Sequence, residues 1–598
     1  MKSLLLASNG IDHIRLSLLP FITYLFLGLR FDREEKGNTL KHLYEILIGL
    51  VGYLITICII LFSNDPYYEK EYTFENATSR YGLLTSLRLD ITNNYFKEED
   101  YSFDMDENLS MDSLQLPPIP SSESVASIDA TDAEAVAQSE EALREEIKSH
   151  LDKAYEDALA GIEPEEPSIP EPIVYGDNAL DIDFTALAAS TSNSDLASLD
   201  EYVASLTPSK QNPYTGLFKG KNLIFLSAEA FTKEVVDPLL TPTLYRMTTQ
   251  GFHFTDFYQP ASAGTTGGEY NNIFGMPPTN GGSSVKDTAT HLNYMTMGYQ
   301  LNRLGYYGKM YHNGTLTYYD RNLTHVNMGY SDGFMARGNG MEDLIKAEWP
   351  GSDKDMIAAT LDSYIDKQPF NIYYMTVSGH SNYSLSENAQ TKKHWDRVKD
   401  LEYSDIVKSY LACQLELEDA MTYLIDALTE KGIEKDTVIC IVADHFPYGL
   451  DHGEGSESLA NLAELYGEPI TNSFVRDHNQ LILWCGSLED SEPVEINDPV
   501  TSIDVLPTLL NLFGIEYDSR LLPGRDVFSD TAPLIFNLNY EWKTNYGMYT
   551  KKGFTSFVPE GMLTEDYVKI VNNIVKNKIK YSKAALNTDY FRHVFGNE

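Results

Sequence analysis

The sequence is poor in cysteine, with only four among 598 residues. Cys58, Cys413, Cys440 and Cys485 show neither C-x-x-C spacing nor the spacing of metal ligands. We interpret them as buried free thiols, the commonest state of isolated cysteines in a large core. A disulfide framework is therefore excluded as the basis of this fold.

Basic residues are also scarce, with 45 Lys and Arg against 88 Asp and Glu, for a net charge of −43. The stretch from Glu98 to Glu201 holds 28 acidic and three basic residues, so more than half of the net charge lies there. This balance argues against nucleic acid, whose phosphates require clustered Lys and Arg. It also argues against docking on anionic lipid by charge alone, so an anchor or a metal must make that contact.

Long apolar runs occur only near the start. The run from Leu43 to Phe62 has the roughly 20-residue length that spans a bilayer. The run from Leu16 to Leu29 is shorter and contains Pro20, which fits a short span, a re-entrant piece or a signal-like segment. Four basic residues between the two runs predict a cytoplasmic loop. We therefore expect residues 1–66 to be a membrane anchor and the rest of the chain to lie outside.

The remaining chain divides by composition. Residues 67–213 are expected to be a juxtamembrane segment and an acidic spacer, mostly disordered between about residues 97 and 210. A solvated helix is plausible there from Asp132 to Leu159. Residues 214–532 are predicted to form a catalytic α/β domain with a largely parallel sheet, and residues 533–598 a small α+β subdomain. The strand-like runs are NLIFLSA, YYGKMYH, NIYYMTV, TVICIVA and LILWC, and a helix is predicted from Tyr403 to Leu428.

Polar residues follow three of these strand-like runs. Glu229 follows the first, His380 the third, and Asp444 with His445 the fourth. In an open parallel sheet, functional groups gather just past the carboxyl ends of the strands. The segment Ala263–Glu269 resembles a glycine-rich loop that opens a helix, where free N–H groups favour a phosphate. Each signal alone is more often structural, as a cap, a turn or a polar core residue.

Together these residues predict a metal site. Two carboxylates, one imidazole and a threonine oxygen form an oxygen-rich ligand set that suits Mn²⁺ or Mg²⁺. A metal that binds the threonine hydroxyl lowers its pKa and makes the oxygen nucleophilic without a dedicated base. The same ion would neutralise an attacked phosphoryl oxygen.

The order of these motifs resembles the lipoteichoic acid synthase group, which are phosphoglycerol transferases of the alkaline phosphatase/sulfatase superfamily. The resemblance rests on Glu229, the loop Gly264–Glu269, Asp444-His445 and the later SIDVLPTLLNLFGI and GRDVF. It covers about Tyr214 to Phe528, and more loosely the second apolar run with the following FENATSRYGLLT.

The resemblance implies roles for individual residues. Glu229, Thr265, Asp444 and His445 match the family's metal ligands, and Thr265 also matches its nucleophile. Thr265 is favoured over Thr266 because the family's threonine precedes a glutamate by four positions, as Thr265 precedes Glu269. The resemblance assigns substrate binding to His312, Tyr319 and Arg321, with Tyr319 where the family has tryptophan, and acid–base catalysis to His380.

The implied activity is an extracellular transfer at the bacterial cell membrane. Glycerol phosphate would pass from phosphatidylglycerol to a glycolipid or a lipoteichoic-acid-type polymer of the cell wall, through a covalent phospho-threonine. The cofactor would be Mn²⁺ or Mg²⁺. A phosphodiesterase, a phosphoethanolamine transferase and a non-catalytic binding protein remain alternatives. A sulfatase is disfavoured, because the C/S-x-P-x-R context that formylglycine formation needs does not surround Thr265.

Overall fold

The computed structural model describes residues 86, 101–103, 174–260, 263–451 and 459–596. The predicted spans, the predicted helix Asp132–Leu159 and Cys58 lie outside the described residues. Within the described ranges no helix is long and apolar enough to cross a membrane. The described residues 86, 101–103 and 177–596, with the gaps given above, belong to one compact unit, which contains every element named below. Residues 116–176 form a second unit, of which only residues 174–176 are described.

The strands are short and mostly buried. Their bounds are β1 Asn222–Ala228, β2 Phe252–Phe254, β3 Phe257–Tyr258, β4 Tyr307–Thr315, β5 Phe334–Arg337, β6 Phe370–Met375, β7 Thr437–Ala443, β8 His478–Asn479, β9 Ile482–Cys485, β10 Val494–Ile496, β11 Val500–Thr501, β12 Ile535–Phe536, β13 Trp542–Thr544, β14 Gly547–Thr550 and β15 Gly553–Ser556.

The helices alternate with the longer strands. Their bounds are α1 Phe184–Ser190, α2 Ser194–Ser205, α3 Pro242–Thr249, α4 Gly264–Phe274, α5 Ser284–Asp287, α6 Met297–Arg303, α7 Arg321–Thr324, α8 Met341–Leu344, α9 Asp353–Thr360, α10 Ala389–Val398, α11 Asp405–Lys431, α12 Ala460–Tyr466, α13 Ser473–Asp477, α14 Val505–Leu512, α15 Tyr567–Asn587 and α16 Tyr590–Phe595.

An eight-stranded sheet in the order β10-β2-β9-β7-β1-β6-β4-β5 forms the centre of the unit. The neighbours from β7 to β5 run parallel to one another, whereas β9 is antiparallel to both β7 and β2. All five strand-like runs of the sequence contribute strands to this sheet. The predicted α/β class with a largely parallel sheet is thus confirmed.

Each central strand is buried on both faces, which explains why its sequence reads as a continuous apolar run. Along β1, Leu223 and Phe225 belong to one core cluster, whereas Ile224 and Leu226 belong to the other. Strand β7 alternates between the same two clusters. The second cluster is covered by α11, which matches the predicted helix and ends where Gly432 adopts a left-handed φ of 73°.

The end of the acidic segment is folded, and here the prediction of disorder was wrong. Helices α1 and α2 begin with side-chain caps from Asp183 and Asn193. They bury Phe184, Leu199 and Tyr202 in the core cluster that contains Leu223 and Phe225, which we call the main core. Composition misled the prediction because it counts the acidic residues and misses the apolar face that packs.

The C-terminal part combines a sheet and helices. Strands β12 to β15 form an antiparallel sheet, and the helices α15 and α16 follow it in the sequence. Helix α15 contributes Tyr581, Ala584 and Leu586 to the main core. A second, three-stranded sheet has the order β11-β3-β8.

Candidate active site

Two carboxylates lie side by side at one edge of the sheet. Strands β1 and β7 are parallel neighbours, and their last residues, Ala228 and Ala443, are register partners. Glu229 and Asp444 are the next residues of each strand, so topology places them together. Both are buried, with 5% and 0% of their surface exposed.

The structure brings four predicted ligands into one cluster. His445 Nε2 lies 3.5 Å from Glu229 Oε1 and 3.3 Å from Asp444 Oδ2. The Thr265 hydroxyl lies 3.4 Å from the same nitrogen. One ligand atom from each of Glu229, Asp444 and His445 falls within 4.8 Å of the others. This spacing suits one cation between them.

The hydrogen bonds around the cluster leave ligand atoms available. His445 Nδ1–H donates to the carbonyl of Phe446 at 2.8 Å, which leaves the lone pair on Nε2. Asp444 Oδ1 accepts bonds from the backbone N–H groups of Ala230 and His445, at 2.9 and 2.8 Å. Asp444 Oδ2, in contrast, is buried and has no hydrogen-bond partner. A divalent cation fits this orphaned oxygen and the adjacent imidazole nitrogen.

The electrostatics of the cluster also fit a cation. Burial and the neighbouring carboxylate of Asp444 raise the pKa of Glu229 well above its ordinary value. Simultaneous ionisation of two buried carboxyl groups, with oxygens within 4.8 Å of each other, is strongly unfavourable unless a positive charge compensates them. The Arg321 guanidinium acts in the opposite direction on the same pKa but does not cancel the shift.

Thr265 lies in the first turn of α4, where the helix dipole and free N–H groups favour negative charge. The helix begins after Ala263, which has a left-handed φ of 61°. A Cβ on Gly268 would clash with the carbonyl of Asp444. Gly268 therefore lets α4 lie directly against the end of β7, and this contact brings Thr265 to His445.

One helical turn beyond Thr265, Glu269 binds a buried arginine. Its Oε2 accepts bonds from Arg321 Nη2 at 2.7 Å and Nε at 3.2 Å. Its Oε1 accepts bonds from His325 Nε2 and the Tyr373 hydroxyl, both at 3.0 Å. Burial alone would raise the pKa of Glu269, but Arg321 and His325 outweigh it and hold that pKa well below its ordinary value.

The predicted substrate residues surround Arg321. His312 Nδ1–H donates to the Met375 carbonyl at 2.9 Å, and its Nε2 lies 3.5 Å from Arg321 Nη1. Burial and then the Arg321 charge lower the pKa of His312 to about 3, so the ring is neutral near pH 7. Tyr319 has a left-handed φ of 56°, and the guanidinium lies 5.3 Å from its ring centroid.

His380 lies on the loop that follows β6. Its Nδ1 contacts the Ser381 carbonyl at 2.6 Å, and the ring of Trp349 lies 5.0 Å away. A Cβ on Gly379 would clash with the carbonyl oxygen of Glu229. The loop that carries His380 therefore packs directly against the backbone at the metal-ligand cluster.

The site lies in a region that matches a known protein family. Residues 221–515 match the sulfatase family. They form a sulfatase domain. The candidate ligands Glu229, Asp444 and His445, the helix that carries Thr265 and the buried Arg321 all lie within it, as do His312, Tyr319 and His380.

The curated relatives of this sulfatase domain include lipoteichoic acid synthases. The chain is 24% identical over 393 residues to the lipoteichoic acid synthase-like YvgJ of Bacillus subtilis, which covers 63% of this chain and 61% of that protein. It is 25% identical over 405 residues to the lipoteichoic acid synthase of Staphylococcus aureus. That alignment covers 64% of this chain and 57% of that protein. The chain thus matches less than two thirds of the length of either relative.

A solved structure supports the fold. The lipoteichoic acid synthase LtaP of Listeria monocytogenes superposes with a TM-score of 0.52 at 20% identity, which covers 68% of this chain and 98% of that one. The chain therefore has the alkaline phosphatase-like α/β fold that the sequence predicted.

Three residues of the sulfatase domain that support the site were not predicted from the sequence. His325 and Tyr373 bind Glu269, and only the four-residue spacing from Arg321 could have indicated His325. Asp353 is fully buried at the start of α9 and accepts bonds from Asn313 Nδ2 at 2.8 Å and from the backbone of Val377 at 3.0 Å. It thereby ties the segment after His312 to the segment before His380, and no local pattern predicted this.

A second group of possible ligands in the sulfatase domain is already neutralised by cations. Glu416 Oε2 accepts a bond from His394 Nε2 at 2.6 Å, and Glu416 Oε1 accepts a bond from Lys393 Nζ at 2.8 Å. Asp419 pairs with Arg397 at 2.7 Å. Because these side chains compensate the carboxylates, we interpret this group as an ion-pair network between α10 and α11.

Proposed function

We propose that this chain is a membrane-anchored, metal-dependent phosphoglycerol transferase that uses Thr265 as its nucleophile. The observation that carries the proposal is the Thr265 hydroxyl, 3.4 Å from His445 Nε2 and in the first turn of α4. Its neighbours are an orphaned carboxylate oxygen of Asp444 and, one turn along α4, the Glu269–Arg321 pair.

Each side chain has a role in the first step. Glu229, Thr265, Asp444 and His445 would hold Mn²⁺ or Mg²⁺, which supplies a lowered pKa at the threonine hydroxyl and charge neutralisation at a phosphoryl oxygen. Arg321, fixed by Glu269, binds another phosphoryl oxygen. Thr265 Oγ, whose proton is lost to solvent at its lowered pKa, attacks phosphorus. The bond from phosphorus to the diacylglycerol oxygen breaks, and His380 protonates that oxygen.

The second step reverses these roles. An acceptor hydroxyl attacks the phosphorus of glycerophospho-Thr265 and His380 takes its proton. The bond from phosphorus to Thr265 Oγ breaks, and Thr265 leaves in the deprotonated form that begins the next cycle. His312 is neutral and accepts a hydrogen bond from Arg321, while Tyr319 packs on the guanidinium, so both position the arginine for the glycerol phosphate group. Phosphatidylglycerol as donor and a glycolipid or polymer as acceptor suit an anchor in residues 1–66 and an extracellular sulfatase domain.

Trapping the intermediate tests the proposal. The full chain in detergent would be incubated with Mn²⁺ and, separately, phosphatidylglycerol, phosphatidylethanolamine and phosphatidylcholine, then digested for mass spectrometry. We expect an adduct with the mass of glycerol phosphate on the peptide that carries Thr265, only with phosphatidylglycerol. Thr266→Ala is the matched control, because its hydroxyl is one position away, and it should keep the adduct.

Thr265→Ala should lose both the adduct and the release of diacylglycerol. Release at the wild-type rate by this variant would disprove the nucleophile. An ethanolamine phosphate adduct would instead indicate the alternative transferase. Free glycerol phosphate as the sole product, even with a glycolipid acceptor present, would indicate a phosphodiesterase.

A further inference from the structure

The segment that carries Arg321 has an inverted polarity. Arg321, Thr324 and His325 are at most 2% exposed, whereas Leu323 and Val326 are 50% and 59% exposed. A helical segment that faces water normally buries its apolar residues and exposes its polar ones. Here the polar side faces the protein and the apolar side faces outward.

The apolar side continues into two tyrosines. Tyr318 and Tyr319 are 61% and 44% exposed. We define these four residues, Tyr318, Tyr319, Leu323 and Val326, as the 318–326 patch. Single exposed apolar residues are ordinary. However, four of the fifteen large hydrophobic residues exposed in the described chain fall within these nine positions, which marks a contact surface.

The inversion is fixed by the site. Arg321 and His325 both donate hydrogen bonds to the buried Glu269, and Thr324 lies against His325 at 3.0 Å. Rotating the segment to bury Leu323 would break the bonds from Arg321 and His325 to Glu269 and leave a buried carboxylate without these partners. The patch is thus held outward by the same contacts that hold the arginine.

The position of the patch indicates its partner. The ring of Tyr319 packs on Arg321, so the patch begins at the residue proposed to bind the phosphate of the donor. Asp320 lies between the patch residues in the sequence, and Lys286 pairs with it at 2.7 Å, which offsets its repulsion of anionic headgroups. Beside His380, Trp349 is 52% exposed, and such half-exposed aromatic rings favour the headgroup level of a bilayer.

We propose that the 318–326 patch inserts into the boundary between headgroups and acyl chains of the lipid bilayer, beside the phosphate that Arg321 binds. The inference rests on the proposed function, because a lipid donor explains why an apolar surface adjoins the phosphate site. Leu323 and Val326 reach toward the acyl chains, and Tyr318 and Tyr319 lie at headgroup level.

Short-range quenching by lipid tests the contact directly. The full chain, with Cys58→Ser, would carry a fluorophore on Leu323→Cys or Val326→Cys in vesicles of phosphatidylglycerol and acyl-brominated phosphatidylcholine. The other native cysteines are buried and should not be labelled. We expect quenching at both positions but not at the control Leu239→Cys, whose native side chain is 92% exposed. Quenching no stronger than at the control would overturn the proposal.

Activity gives a second test that separates the two proposals. Leu323→Ser combined with Val326→Ser should lower turnover of phosphatidylglycerol in vesicles about tenfold, because apolar contact area is lost. Turnover of a water-soluble, short-chain phosphatidylglycerol should not change. Equal losses with both donors would refute the bilayer contact. Failure of the unsubstituted chain with both donors would refute the proposed function, while the quenching result would still decide the contact.

Discussion

Arg321 donates two hydrogen bonds to a single carboxylate oxygen of Glu269, at 2.7 Å from Nη2 and 3.2 Å from Nε. Neither side chain is more than 2% exposed. Glu269 lies one helical turn from Thr265 on α4, so the same helix positions the proposed nucleophile and the proposed phosphate-binding group. The pair fixes Arg321 before any substrate arrives, which spares the cost of orienting it during catalysis.

Glu269→Gln should damage both stability and activity. The substitution keeps the shape but removes the charge, which leaves Arg321 buried without compensation. We expect the free energy of unfolding to fall by about 3 kcal/mol and kcat/KM by roughly 100-fold. Urea denaturation and a steady-state assay measure the two effects. Asp490→Asn, which removes the partner of the exposed Lys435, is the control and should change neither. Equal stability of the two variants would contradict the role given to Glu269.

Gly268→Ala should disrupt the metal site without touching a ligand. A Cβ there would clash with the carbonyl of Asp444, so α4 must move away from the end of β7. We expect Mn²⁺ affinity, measured by calorimetry, to fall at least tenfold and turnover by about 100-fold. Gly282→Ala is the matched control, because no atom lies within 4 Å of a Cβ at that position. Normal Mn²⁺ binding by Gly268→Ala would show that the close approach is unimportant.

The sheet and the placement of Glu229 and Asp444 at its edge could be predicted because their signals are local. A run such as NLIFLSA is apolar on both faces, and Glu229 and Asp444 follow such runs directly. Parallel topology then forces these two carboxylates together. The folded end of the acidic segment could not be predicted, since the packing of Phe184 and Tyr202 is a long-range contact with the main core.

The residues that support the site could not be predicted either, because their contacts are also long-range. Asp353 contacts segments that begin at Asn313 and Val377, which lie 40 and 24 positions from it in the sequence. His325 and Tyr373 reach Glu269 from α7's downstream turn and from β6. Apart from the four-residue spacing of His325 from Arg321, their sequence contexts resemble ordinary core positions.

Metal removal should make stability depend on pH through Glu229. Its pKa is raised in the fold by burial and by Asp444, so the metal-free native state holds this proton more tightly than the unfolded chain. Stability without metal should therefore fall as pH rises above 4.5, the ordinary value. Mn²⁺ at 100 times its Kd should raise the free energy of unfolding by about 2.7 kcal/mol.

Thermal unfolding in EDTA and in Mn²⁺, at pH 5.5 and pH 8, measures this effect. Glu229→Gln should be more stable than the wild type in EDTA at pH 8 and should gain little from Mn²⁺. The prediction would be contradicted if, without metal, the difference in stability between the wild type and Glu229→Gln were the same at pH 5.5 and pH 8.

Glu416 should stabilise the protein with the opposite dependence on pH. Burial raises the pKa of its carboxyl, but hydrogen bonds from His394, Lys393 and Ser352 outweigh burial and lower that pKa to about 2, from 4.5. A folded value below the unfolded one gives stability that is complete above pH 4.5 and is lost as pH falls toward 2. This difference corresponds to about 3 kcal/mol at pH 7. Glu416→Gln should therefore unfold at a lower urea concentration than the wild type at pH 7, and its loss of free energy of unfolding should be smaller at pH 4.

Glu430→Gln, an exposed site on the same helix, is the control, and its effect on the free energy of unfolding should not differ between the two pH values. A deficit for Glu416→Gln that stays constant between pH 7 and pH 4 would mean that its packing, and not its charge, ties α10 to α11.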